Sequence, residues 1–202
     1  MPGPGAHGNI VATGDMLYIL AADSFGLYII IMSYRNKINN LTELVVLDDC
    51  PVDDMAPKDD QLYPTGALHN GHLLVAWEDR RLGHTIIMSA RQRNKGSCEF
   101  LPPARLSLRP ESRPNLPYGK GHGVARVALA NFGDNQVMAA WADKRDFREG
   151  YDIYGAEHQL DGKFGGNVRI QDDFGGQARQ WHTAIAGHPD GQVIAAWDDD
   201  RV

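Results

Sequence analysis

The sequence lacks any apolar run long enough to cross a bilayer: the longest, such as Leu27 to Met32, fall far short of the ~20 residues a spanning helix needs. It also lacks an excess of positive charge, with 20 Lys and Arg against 26 Asp and Glu and a formal net charge of -6. That balance argues against nucleic acid as a partner, because phosphate binding draws on clustered cations. The N-terminus Met1-Pro2-Gly3-Pro4-Gly5 has neither the basic n-region nor the apolar h-region of an export signal, so no signal peptide is expected in this chain. Cysteine is scarce. Cys50 and Cys98 have no metal-type spacing and suit either a disulfide or two free thiols, which leaves the redox compartment open. A Gly-rich phosphate loop, a His-Glu-x-x-His helix and a Gly-x-Ser-x-Gly elbow are all missing, which argues against the enzyme classes built on them.

What is present is a repeat. Trp-x-Asp-x-Arg occurs as Trp77/Asp79/Arg81, Trp141/Asp143/Arg145 and Trp197/Asp199/Arg201, each time after an apolar run ending in Ala. A fourth copy upstream keeps only the aspartate, since Leu20 to Ser33 aligns without a gap on Ala76 to Ser89. The four aspartates, Asp23, Asp79, Asp143 and Asp199, are spaced by 56, 64 and 56 residues, a length that suits a four-stranded propeller blade. No stretch sustains a helical period. Short runs rich in Val, Ile, Tyr and Ala alternate with Gly, Asp and Asn, and Asn70-Gly71, Asp161-Gly162 and Asp190-Gly191 are expected to make tight hairpins. The segments Pro51 to Gln61 and Pro102 to Gly121 are expected to be connectors between blades. The fold expected is all-β: one β-propeller domain over residues 1–202, with repeats near 7–50, 62–109, 122–173 and 181–202. That is about four blades, three complete four-stranded units plus a half blade, or part of a larger propeller. An incomplete last blade leaves a strand edge open, so self-association through it is expected.

In a propeller the tail of each second strand and the start of each innermost strand open on one face. The motif residues should therefore gather around the axis with Trp181, Tyr63 and Asp172-Asp173 nearby. Two readings apply to Trp77, Asp79, Arg81, Trp141, Asp143, Arg145, Trp197, Asp199 and Arg201. In one, the indole wedges between blades while Arg bonds Asp, and recurrence in several repeats favours this scaffold role because a catalytic residue need occur only once. In the other, together with Trp181 they line pockets where an indole stacks on a sugar and Asp and Arg bond its hydroxyls. His7, His122 and His182 occupy corresponding positions by sequence and form a candidate divalent-metal set, with wet-channel histidines as the competing reading. No cofactor is expected otherwise. The acidic clusters read as solvated loops, with Ca²⁺ a minor alternative because no Asp-x-Asp-x-Asp-Gly loop is present.

The unit from Ala140-Trp141-Ala142-Asp143-Lys144-Arg145 through Tyr151-Asp152-Ile153-Tyr154 and Asp161-Gly162 to Asp190-Gly191 resembles bacterial repeats of the sialidase-like, BNR-type β-propeller superfamily. The resemblance implies a propeller, a carbohydrate ligand and an extracellular or cell-surface setting. It does not bring catalysis with it. The Arg-Ile-Pro signature is absent, with only Ser112-Arg113-Pro114 near it, and so is the Ser-x-Asp-x-Gly-x-Thr-Trp box. The expectation is therefore a non-catalytic glycan-binding module. The alternatives are a glycoside hydrolase using carboxylates such as Asp143 and Asp199 on the axial face, and a purely structural propeller.

Overall fold

A computed structural model describes residues 7–23, 26–36, 42–53, 61–108, 123–145, 150–159, 161–171 and 179–200. Within them lie 14 strands and no helix. The first sheet is β1 (His7–Ala12), β2 (Met16–Asp23), β3 (Gly26–Asn36) and β4 (Thr42–Pro51). The second is β5 (Gln61–His69), β6 (His72–Asp79), β7 (Ile86–Arg91) and β8 (Ala104–Arg105). The third is β9 (Val124–Phe132), β10 (Gln136–Asp143), β11 (Asp152–Glu157) and β12 (Val168–Arg169), and β13 (Gln180–Gly187) pairs with β14 (Val193–Asp199). Every sheet is an antiparallel meander in chain order. The chain is a partial propeller of about four blades.

The first strands of successive sheets lie against one another, β1 on β5, β5 on β9 and β9 on β13, which makes them the axial strands. Close approach there requires small residues. At Gly66 an added Cβ would stand 2.7 Å from Val11 Cγ2 and 2.8 Å from Leu20 Cδ1, so only glycine lets β5 sit this near the first blade. The outermost strands β8 and β12 shrink to two residues each. For β8 the preceding Pro102-Pro103 removes two ladder donors.

The sheets stack face to face through two apolar seams. Between the first and second sheets Tyr18, Leu20, Leu27, Ile29 and Ile31 meet Leu73, Val75, Trp77 and Ile86, all buried. Between the second and third, Ala76, Ile87 and Leu106 meet Val124, Val127, Ala139 and Trp141. Cys50, in β4, is disulfide-bonded to Cys98, in the loop after β7, with Cα atoms 5.6 Å apart. This bond crosses the first seam and decides the cysteine alternative.

The turns depart from expectation in one respect. Asn70 and Gly71 both take positive φ, 51° and 75°, as a two-residue hairpin demands. In the other two Asp-Gly pairs only Gly162 and Gly191 do so, because those loops are longer and do not require a left-handed aspartate. The expected connectors fall mostly on residues 54–60 and 109–122, outside the described residues.

Candidate functional site

The motif copies of the second and third sheets form closed latches. Trp77 Nε1 donates to Asp79 Oδ2 at 3.0 Å, and Arg81 Nε donates to Asp79 Oδ1 at 2.8 Å. The same guanidinium reaches across the seam to Asp53, just past β4. In the third sheet Trp141 Nε1 donates to Asp143 Oδ2 at 3.0 Å, Arg145 Nη2 to Asp143 Oδ2 at 2.5 Å and to Asn167 Oδ1 at 3.1 Å. The Arg145 guanidinium lies 3.7 Å over the Tyr154 ring. Both indoles and both carboxylates are buried, Trp77 and Trp141 at 0% exposure, so protein covers the ring faces that a sugar would stack on. In this arrangement the two copies act as wedges and latches.

The last copy differs. Trp197 is half-buried and Asp199 exposed, with Gln180 Nε2 donating to Asp199 Oδ1 at 3.3 Å. Arg201 lies outside the described residues, as do His122 and Asp172-Asp173. Trp181 is half-buried, its ring 4.3 Å from that of Tyr151. Burial raises the Tyr151 phenol's pKa, helped by the Glu78 and Asp143 carboxylates and opposed by Arg179.

A second repeated feature sits on the axial strands. Opposite each motif tryptophan, β5, β9 and β13 carry two residues against one: 63–64 face Trp77, 126–127 face Trp141 and 182–183 face Trp197. The first residue of each bulge is left-handed, Tyr63 at φ 51°, Arg126 at 57° and His182 at 48°. None is glycine, and such conformations persist for bulky residues only where the surroundings enforce them. β1 has no bulge, and Gly8 pairs with Ala21 at the matching register. The bulges turn these positions into the axis.

There they surround a cavity of about 530 Å³ whose lining includes Asn9, Tyr63, Thr65, Arg126, His182 and Thr183. Arg126 lays its guanidinium 3.8 Å over the Tyr63 ring. Its backbone N–H donates to Glu78 Oε1 at 2.8 Å. Burial pushes the Glu78 carboxyl up, opposed by that N–H and by the charges of Arg126 and Arg80. On the other side His182 Nδ1 lies 2.6 Å from Asp198 Oδ2.

These registers correct one sequence-based correspondence. The equivalent of His182 is Gly8, Tyr63 or Arg126. His7 pairs with Ala22 and so matches Trp181, which pairs with Asp198 one residue before the bulge. His7 and His182 are therefore not at equivalent positions, His122 lies outside the described residues, and the described residues contain no group of three or more metal-ligating side chains. Sequence reasoning missed Arg126 and Glu78 and set Asp198 among the solvated clusters. The signal lay 14 or 15 residues before each motif Trp, where the repeats differ most in chemistry: Tyr63, Arg126, His182.

No family model and no curated protein matches the sequence. Solved structures do. The chain aligns over 97% of its length with 70% of a thermostable family-43 glycoside hydrolase, at 14% identity and a TM-score of 0.53. It aligns over 94% with 68% of an endo-arabinase from Bacteroides thetaiotaomicron, at 12% identity and 0.54. An α-L-arabinanase from Penicillium chrysogenum, solved with arabinobiose, gives 94% of this chain and 58% of that one, at 8% identity and 0.53. At such identities the likeness establishes the propeller fold alone. The first of these is a glycoside hydrolase and the other two are arabinanases, so the sialidase type expected from the motifs gains no support from them.

Proposed function

We propose that the chain acts on a carbohydrate taken up at the axial cavity, and that the action is glycoside hydrolysis. The observation that carries this reading is the convergence of Asn9, Tyr63, Arg126 and His182, from four successive axial strands, on one cavity. An aromatic ring beside amide, hydroxyl and imidazole groups is a lining suited to a sugar. Similarity to hydrolases that share the fold supports hydrolysis over binding alone.

Hydrolysis needs two carboxyl groups, one kept protonated as the acid and one ionised as base or nucleophile. Among the described residues Glu78 and Asp198 are hydrogen-bonded to lining residues, the buried Glu78 to the Arg126 backbone and the exposed Asp198 to the His182 ring. Glu78 suits the acid because burial favours its neutral form. Asp143, the sequence's candidate, is committed to Trp141 and Arg145, and Asp199 lies exposed at the end of β14. The sialidase-type resemblance adds no catalytic residue to this pair.

The test is release of reducing ends from arabinan, arabino-oligosaccharides and xylan by the purified chain. Turnover is expected, falling ~100-fold or more in Glu78→Gln and Asp198→Asn. No release from any of these glycans by folded protein would remove hydrolysis. A second reading, the non-catalytic glycan-binding module, is favoured by the locking of Asp79 and Asp143 into latches, and binding without turnover would select it. We further propose that the open edge of the β13–β14 sheet pairs with a second copy, and solution mass tests it.

A further inference from the structure

We propose that the axial cavity selects an acidic sugar, a uronic-acid residue whose carboxylate is held edge-on by Arg126. The inference rests on the reading of this cavity as a glycan site and adds the class of glycan. In a chain of net charge -6, the residues lining the cavity include one arginine and no carboxylate. A cation facing the lumen of an otherwise acidic protein favours an anionic guest.

Arg126 is held ready for such a guest. One face of its guanidinium is covered by the Tyr63 ring at 3.8 Å, which fixes the plane and leaves the N–H edge to a ligand. Among the described residues that edge has no hydrogen-bonded or ion-paired partner. Arg81 and Arg145 are by contrast consumed by Asp79, Asp53, Asp143 and Asn167. The main chain beneath Arg126 is fixed independently, by its left-handed conformation and its N–H bond to Glu78. A planar fork with a free edge matches a carboxylate in two parallel bonds, a geometry lysine cannot copy. One arginine is too little for a polyphosphate chain, whose affinity grows with the number of cations, while the hydroxyl and amide groups of Thr65, Thr183 and Asn9 suit the neutral remainder of a sugar.

The experiment is calorimetric titration of the full chain with matched oligosaccharides: a uronic-acid oligomer, the same oligomer with its carboxyls reduced to alcohols, and neutral arabino-oligosaccharides. The acid form is expected to bind at least tenfold more tightly than its reduced counterpart. Arg126→Gln should erase that preference, Arg126→Lys should restore only part of it, and Arg81→Gln, judged on protein that still melts cooperatively, should leave the preference in place. Equal affinity for acid and reduced forms overturns the proposal while leaving the glycan site standing. Equal gain from a sulfated sugar overturns the carboxylate assignment in favour of general anion attraction. Failure of every glycan to bind overturns the underlying reading as well.

Discussion

The two seams between complete sheets are made of different materials. The first joins 14 buried residues among those described, including Leu20, Ile29, Ile31, Val75 and Trp77, and is crossed by the Cys50–Cys98 disulfide. Among the described residues the second has eleven buried apolar residues in two clusters, four of them alanine, and it also relies on side chains that reach across to backbone. Asn131 pairs with both the N–H and the carbonyl of Leu68. Asn167 receives the N–H of Leu108 and donates to the Leu106 carbonyl at 3.0 Å, and Glu78 takes the N–H of Arg126. Apolar contact is non-directional and tolerates sliding. Hydrogen bonds to backbone fix position to a few tenths of an ångström. The first seam carries directional bonds as well, from Leu27 N–H to Gln61 Oε1 at 2.9 Å and from Arg81 to Asp53. Yet the bond that sets Arg126 at the cavity belongs to the second, while the larger share of apolar burial lies in the first.

The largest expected effect tests whether the two indoles are equivalent wedges despite this difference. Trp77→Ala and Trp141→Ala each remove a fully buried indole and should cost about 3–5 kcal/mol, measured by chemical denaturation, whereas Trp197→Ala on the half-exposed last copy should cost less than about 1 kcal/mol. A similar loss at Trp197 would mean that the last copy is as enclosed as the others. Next comes reduction of the disulfide, which closes a separation of 48 residues and should cost about 2–4 kcal/mol. Hydrogen exchange should then rise in β4 and β7 and stay unchanged in β9 and β10. Equal loss in both pairs of strands would break the distinction between the seams.

The blades were legible because their cause is local: a strand hairpin ending in Trp-x-Asp repeats visibly, and alternation forces Trp77 and Asp79 onto one face, where they bond. The latch was legible for the same reason. The bulges were not, since two residues opposing one leaves no mark on composition, and the left-handed conformation of Tyr63, Arg126 and His182 appears in residues that do not ordinarily seek it. Counting from the strand start placed His7 beside His182; counting from the tryptophan places Gly8 there. Glu78 escaped notice because it sits between Trp77 and Asp79 and points to the other sheet, a contact 48 residues away in sequence.

The smallest effect concerns acid, and it should be confined to the second seam. His158, at the end of β11, is 3% exposed and packs edge-on against His69, with ring centroids 4.4 Å apart, and against Phe164 at 5.2 Å. Its pKa is lowered to about 4 by burial, by the His69 ring and by Arg91, against the pull of the Gly162 backbone and of Asp161. Burial, Arg91 and His72 lower His69 as well. The unfolded chain binds a proton near pH 6.5, as free histidine does. Above that value both states are neutral here and the folded protein keeps its full stability. As pH falls from about 6.5 to about 4 the unfolded state gains a proton that the folded state refuses, and stability drops by about 2–3 kcal/mol before this contribution levels off. Unfolding free energies across that window should therefore slope downward in the native protein and markedly less in His158→Gln, which cannot titrate. Reduction of the disulfide should displace both curves without changing either slope, because among the described residues the first seam contributes no buried histidine. An undiminished slope in His158→Gln would assign the acid sensitivity elsewhere and leave the two seams distinguished by geometry alone.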